Sequence, residues 1–159
     1  MKRSHILPPA ALLILAGCYP AAGDERPEVS APAVTASVAS TQFERTTADA
    51  VEFQQFLPGI SVDVLYGGID QGVPTGQLAK LGAGVTFPAH SHSSSYYAVI
   101  IAGQFQHWEE GDADRGPVMT AGAHFYQPGG NLHYDSCLGP EACIVSVIFP
   151  ERADVTVPQ

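Results

Sequence analysis

Positive charge is scarce in this chain. Seven Lys and Arg stand against sixteen Asp and Glu, for a net charge of −9. A phosphate backbone needs a basic patch, so nucleic acid and other polyanions are excluded as partners. Long apolar runs are missing too. The one near the start, residues 6–16, is interrupted by Pro8 and Pro9 and is too short to span a bilayer. No segment shows a sustained amphipathic helical period, which turns the reading toward strands. Cysteine occurs only at positions 18, 137 and 143. What is present is 159 residues, enough for one domain with a real core.

The first 48 residues read as something other than that core. Lys2 and Arg3 form a positive start, the short apolar stretch follows, and it ends in Leu15-Ala16-Gly17-Cys18. This ending resembles a bacterial lipobox. The resemblance implies a lipoprotein signal peptide over 1–17, cleavage before Cys18, and a lipid on that cysteine holding the protein to a membrane. The alternatives are an ordinary secretory peptide with an incidental cysteine, or a buried apolar segment. Residues 18–48 are rich in Pro, Ala, Ser, Thr, Val and Glu, with Phe43 the one aromatic beyond Tyr19. They read as a lipidated, flexible and disordered tether. Tyr19 rather than Asp follows the cysteine, which by the same resemblance implies the periplasmic side of an outer membrane. Export into an oxidising compartment leaves Cys137 and Cys143 as a pair flanking a turn-like segment. A disulfide is the expectation, and two separate thiols the alternative.

Residues 49–159 read as one all-β domain. Short alternating segments cover 51–53, 61–65 and 77–81, punctuated by Pro58-Gly59, Gly67-Gly68 and Gly82-Ala83-Gly84. Residues 96–102 form a near-continuous apolar run suited to a buried strand. Further strands are expected near 104–108, 124–127, 132–136 and 143–149. Many short strands in about 110 residues imply a sandwich or a small closed barrel.

Five of the six histidines lie between positions 90 and 133. His90 and His92 are one residue apart, which on an extended strand puts both imidazoles on one face. With His133 they make a facial set of nitrogen ligands suited to zinc, iron, copper or nickel. Their frames are Gly84-x5-His90-x-His92-x3-Tyr96-x6-Gly103 and Gly122-x5-Pro128-x-Gly130-x2-His133. These resemble the paired motifs of the cupin superfamily, with a further likeness to small single-domain cupins and, more loosely, to zinc-binding cupin domains attached to anti-sigma factors. The resemblance covers about residues 50–150. It implies a double-stranded β-helix, the cupin-type jelly-roll barrel. It also implies one divalent transition metal ion (Fe, Mn, Ni or Zn) held by His90, His92 and His133, and, as a family habit, a homodimer.

Two positions depart from the family pattern. Tyr96 stands where a glutamate ligand is expected, and Cys137 where an asparagine is. Without the glutamate, the charge of a +2 ion is uncompensated, which favours a small anionic ligand or ionised water. Tyr96 and His124 are the candidate acid, base or orienting groups. Tyr97, His107 and Tyr126 are candidate pocket residues, because period two pairs His107 with Phe105 and Tyr126 with His124. The expected function is a lipid-anchored cupin that binds or transforms a small molecule outside the cytoplasm. As an enzyme it would be a metal-dependent oxidoreductase of the dioxygenase type or an isomerase. The alternative is a non-catalytic sensor of small molecules, with or without metal.

Overall fold

A computed structural model describes the backbone of residues 29–30 and the chain from 42 to 158. The lipobox and Cys18 lie outside the described residues. Eleven strands are described: β1 (Val29–Ser30), β2 (Gln54–Leu57), β3 (Ile60–Tyr66), β4 (Thr75–Leu81), β5 (Thr86–His90), β6 (Tyr96–Ala102), β7 (Phe105–Glu109), β8 (His124–Gln127), β9 (His133–Cys137), β10 (Cys143–Phe149) and β11 (Thr156–Val157). Among the described residues the helical content is one 3-10 turn at Ala48–Ala50. None of their helices is long and apolar enough to cross a membrane.

The strands form two main sheets. Six run in the order β2-β3-β4-β10-β6-β8, and three in the order β5-β9-β7. Every pairing within them is antiparallel. Together they make the jelly roll that the paired motifs imply. The segment read as a tether contributes β1, which pairs with β11.

Alternation sets the core. On β6, Tyr96, Ala98 and Ile100 point inward and are at most 3% exposed. Tyr97, Val99 and Ile101 point out. The strand expected to be buried is therefore buried on one face only. Its apolar run is continuous because the outer face of the large sheet carries β-branched and aromatic side chains as well. The first strand of the domain starts at Gln54 rather than Val51. Gln54, Gln55 and Leu57 pair with β3, and Val51–Phe53 lie before that ladder.

A disulfide joins Cys137 to Cys143, with Cα atoms 5.6 Å apart. Both cysteines are fully buried. Gly103 makes this junction possible. Its φ is +86°, and a Cβ there would lie 2.7 Å from Cys143 Sγ and 2.8 Å from Cys143 Cα. Only glycine permits both the turn and the close approach.

Candidate metal centre

Strand register builds the site. Across the three-stranded sheet, His133 lies opposite His90 on one side and Glu109 on the other. Asp135 lies between Phe87 and His107 in the same way. Two rows of functional side chains therefore sit side by side on the inner face. Period two alone would send Phe87 and His90 to opposite faces. A bulge between them turns both inward. Their rings stack with centroids 3.7 Å apart. His92 follows the end of β5, past a one-residue bridge from Ser91 to Thr156 of β11.

All three candidate ligands are held in the same way. His90 Nδ1 lies 2.8 Å from the Pro88 carbonyl, and His133 Nδ1 3.0 Å from the Asn131 carbonyl. His92 Nδ1 is hydrogen-bonded to the Asp154 carbonyl. A carbonyl oxygen only accepts, so each Nδ1 carries the proton and donates it. Each neutral imidazole then keeps its lone pair on Nε2. Backbone acceptors of this kind are how metal-binding histidines are oriented. Asp154 is itself fixed, taking hydrogen bonds from the Ser93 backbone N–H and hydroxyl and an ion pair from Arg152. The ligand atoms of His90, His92 and His133 lie within 4.8 Å of one another. Three imidazoles in this tautomer fit a divalent transition metal of the nitrogen-loving kind.

Tyr96 reaches the same place. Its side chain is buried, and its hydroxyl lies 3.2 Å from His133 Nε2. Because His133 Nδ1 is already a donor, the phenol donates to Nε2. Burial, with the negative charge of Asp135, raises the Tyr96 pKa well above its ordinary value, so it is a phenol at neutral pH. The tyrosine in the glutamate position thus contributes a hydrogen-bond donor, not a charge.

A carboxylate arrives from elsewhere. Asp135 is buried beside the histidines. Its Oδ1 accepts from His107 Nδ1 at 2.8 Å, and its Oδ2 lies 3.5 Å from His90 Nε2. His107 Nε2 lies 2.8 Å from Gln127 Oε1. The Gln127 amide is oriented by donating through Nε2 to Glu109 at 3.0 Å and to the Pro128 carbonyl at 3.3 Å. Its Oε1 therefore accepts, and His107 donates at both ends. Burial pulls the His107 pKa down, but the hydrogen bond and charge of Asp135 outweigh it and leave it raised. The Asp135 carboxyl is pushed up by burial and held below its usual range by His107 and the other imidazoles.

The inner faces line a cavity that is open to solvent at its mouth. Its wall is mainly aliphatic and aromatic, with Phe56, Val62, Phe87, Phe105, Val147 and Phe149 among the lining. His90, His92, Tyr96 and Asp135 open onto it. One more polar group lines it from the six-stranded sheet. Gln77, on β4, is 9% exposed, and its Oε1 is buried with no hydrogen-bond partner. An unpaired buried amide oxygen costs on the order of 1–3 kcal/mol.

The other residues singled out from sequence are placed as follows. His107 faces inward with Phe105, as alternation implies, and stacks on Phe125 at 4.1 Å. His124, Tyr126 and Tyr97 point outward. His124 is exposed, Tyr97 is 56% and Tyr126 51% exposed, and the two tyrosines pack on each other. They do not line the cavity. His124 and Tyr126 do share a face, but Phe125 and Gln127 occupy the inner one. Asp135, Gln127 and Gln77 were not legible as site residues. The one sequence signal for Asp135 is its place two residues after His133 on the same strand.

Burial holds His90 at a pKa of about 3 and His92 at about 4, against an ordinary 6.5. The unfolded chain therefore takes up protons near pH 6.5 that the folded chain refuses until about pH 4 and below. Stability of metal-free protein falls as pH drops through that window. His107, with its raised pKa, works the other way, since its contribution is complete below 6.5 and fades as pH rises. The lowered groups outnumber it, His133 included. Urea unfolding of metal-free protein should show a lower midpoint at about pH 5 than at about pH 7.5. Equal midpoints would contradict this balance.

Comparison with known proteins agrees with the fold. The profile of the ChrR cupin-like domain matches residues 41–150. KdgF from Halomonas sp. is similar at 20% identity and a TM-score of 0.54, over 67% of this chain and 94% of that one. An RmlC-like cupin from Shewanella frigidimarina NCIMB 400 is 18% identical with a TM-score of 0.53, over 69% and 92%. The structure of Rhodobacter sphaeroides SigE in complex with the anti-sigma ChrR matches at 17% identity and a TM-score of 0.52, over 65% of this chain and 50% of that one. At these identities the likeness is one of fold. A comparison with curated protein sequences finds no match.

Proposed function

The chain belongs to the ChrR cupin-like domain family, and on that premise we propose that it is a metal-binding cupin that binds or transforms a small molecule outside the cytoplasm. His90, His92 and His133 hold one divalent transition metal, Fe, Mn, Ni or Zn. The observation that carries this reading is the shared tautomer, with three Nδ1 atoms donating to backbone carbonyls, which leaves each Nε2 unprotonated, and with ligand atoms within 4.8 Å of one another. A metal would take the place of the Tyr96 hydroxyl at His133 Nε2. A bound metal supplies a Lewis acid and open coordination positions. The apolar wall excludes water and receives the body of the ligand. Gln77 offers an acceptor from the facing sheet to a hydroxyl or N–H of the ligand. With Asp135 beside the histidines, the ligand need not be an anion, as the missing glutamate had suggested. A molecule with one metal-binding heteroatom and an apolar body fits this cavity better.

Binding without catalysis is the second reading. Tyr96 is held as a phenol and His107 is locked between two acceptors. Neither is a free base at neutral pH, which favours a sensing module over an oxygenase or isomerase.

Protein purified without a histidine tag should carry about one equivalent of transition metal, and His92→Ala should lose it while remaining folded. Less than about a tenth of an equivalent, with no uptake on reconstitution, would sink the metal reading.

The proposed location is the cell envelope, with a lipid on Cys18 holding the domain to a membrane, on the periplasmic side of an outer membrane. The motif Leu15-Ala16-Gly17-Cys18 supports it. Cys18→Ala should move the protein from the membrane fraction to the soluble fraction and abolish acyl labelling. An unchanged distribution would rule out the anchor.

A further inference from the structure

The glutamate that the paired motifs lead one to expect is a tyrosine here, yet the cavity does not lack a carboxylate. Asp135 follows His133 by two residues on β9, so both side chains face inward. Its Oδ2 lies 3.5 Å from His90 Nε2. Since His90 Nδ1 donates to the Pro88 carbonyl, its Nε2 presents a lone pair. A carboxylate oxygen and an imidazole lone pair thus confront each other in a buried place, with no donor between them. Two acceptors at this separation repel unless a cation joins them. The ligand atoms of His107, His133 and Asp135 form a second group within 4.8 Å of one another, which shares His133 with the first, so Asp135 neighbours His133 as well as His90.

The carboxylate is not free to turn away. Its other oxygen is fixed by His107, His107 by Gln127, and Gln127 by Glu109 and the Pro128 carbonyl. Glu109 in turn accepts from Asn131 at 2.9 Å, in the loop that carries His133. This chain of hydrogen bonds runs from the rim of the barrel to a single oxygen. It orients that oxygen as a metal ligand is oriented.

We propose that Asp135 is the fourth protein ligand of the metal, giving a three-histidine, one-aspartate site, and that His107 is its positioning residue. The inference rests on the metal reading above. It supplies from the second motif strand the negative charge that the first motif lacks. An oxygen donor among three imidazoles suits Zn(II), Fe(II) or Mn(II) rather than a soft Cu(I) ion.

Cobalt(II) added to metal-free, untagged protein provides the test, read by competition with a chelator and by visible absorption. Asp135→Asn should weaken cobalt binding at least ~100-fold and change the absorption bands. His107→Gln should weaken it by about 10–100-fold and leave the band shape close to that of the natural protein. Circular dichroism reports whether each variant folds. A measurement on the unsubstituted protein stands beside the variants. With 13C-labelled aspartate, infrared difference spectra should show one aspartate carboxylate band shifting when zinc binds. If Asp135→Asn folds and binds cobalt with unchanged affinity and spectrum, or no aspartate band shifts, Asp135 is not a ligand. If the unsubstituted protein takes up no cobalt, the metal reading itself fails, and the fourth ligand with it.

Discussion

Three hydrogen bonds from imidazole Nδ1 atoms to backbone carbonyls decide what the cavity can do. Pro88, Asn131 and Asp154 supply the carbonyls, and each comes from a different part of the chain. The Pro88 carbonyl lies inside a bulge, the Asn131 carbonyl in the loop before β9, and the Asp154 carbonyl near the C-terminus, just before β11. The jelly roll must close before all three converge. Once it closes, the histidines have no freedom of tautomer, and burial keeps His90 and His92 unprotonated at any physiological pH. The cost of burying three polar rings is offset only partly by three hydrogen bonds, so the site is stabilised by its surroundings and not the reverse.

The same constraint explains the polar groups around it. His133 Nε2 accepts a hydrogen bond from the Tyr96 phenol, while His90 Nε2 faces a carboxylate and has no donor. Asp135 sits where it does because His107 needs an acceptor, and His107 because Gln127 offers another. Charge in the cavity wall lies at Asp135, paired with His107 on the small sheet, and at Asp154, paired with Arg152. Apart from these carboxylates, His90, His92 and Tyr96, the wall is apolar except for Gln77, whose buried oxygen is unpaired on the large sheet. A ligand bridging the two sheets would meet histidine and carboxylate at one end and a single amide at the other.

Much of this was legible in the sequence, and the divide is physical. The glycine and proline frames around His90, His92 and His133 encode turns and a strand return, which are local. They therefore led to the jelly roll and to the three histidines. The inward pairing of Phe105 and His107 followed from period two, and Cys137 and Cys143 flank a turn short enough to join them. Period two gives which residues share a face but not which face is inside. His124 and Tyr126 share one, and it is the outer one. Tyr97 alternates with Tyr96 and likewise points out. Asp135 was missed because its role depends on a register between β9 and β7 and on a bulge in β5. Neither leaves a mark in the sequence of one strand. Gln77 was missed for a similar reason, since an amide without a partner is a property of the assembled core.

In the proposed site, three imidazoles and one carboxylate converge on a single metal ion. X-ray absorption at the edge of the metal that copurifies with untagged protein measures this directly. The expected result is a first shell of nitrogen and oxygen only, at about 2.0–2.2 Å, with outer-shell scattering from three imidazole rings. A sulfur shell, a shell of water oxygens, or scattering from a single ring would contradict it.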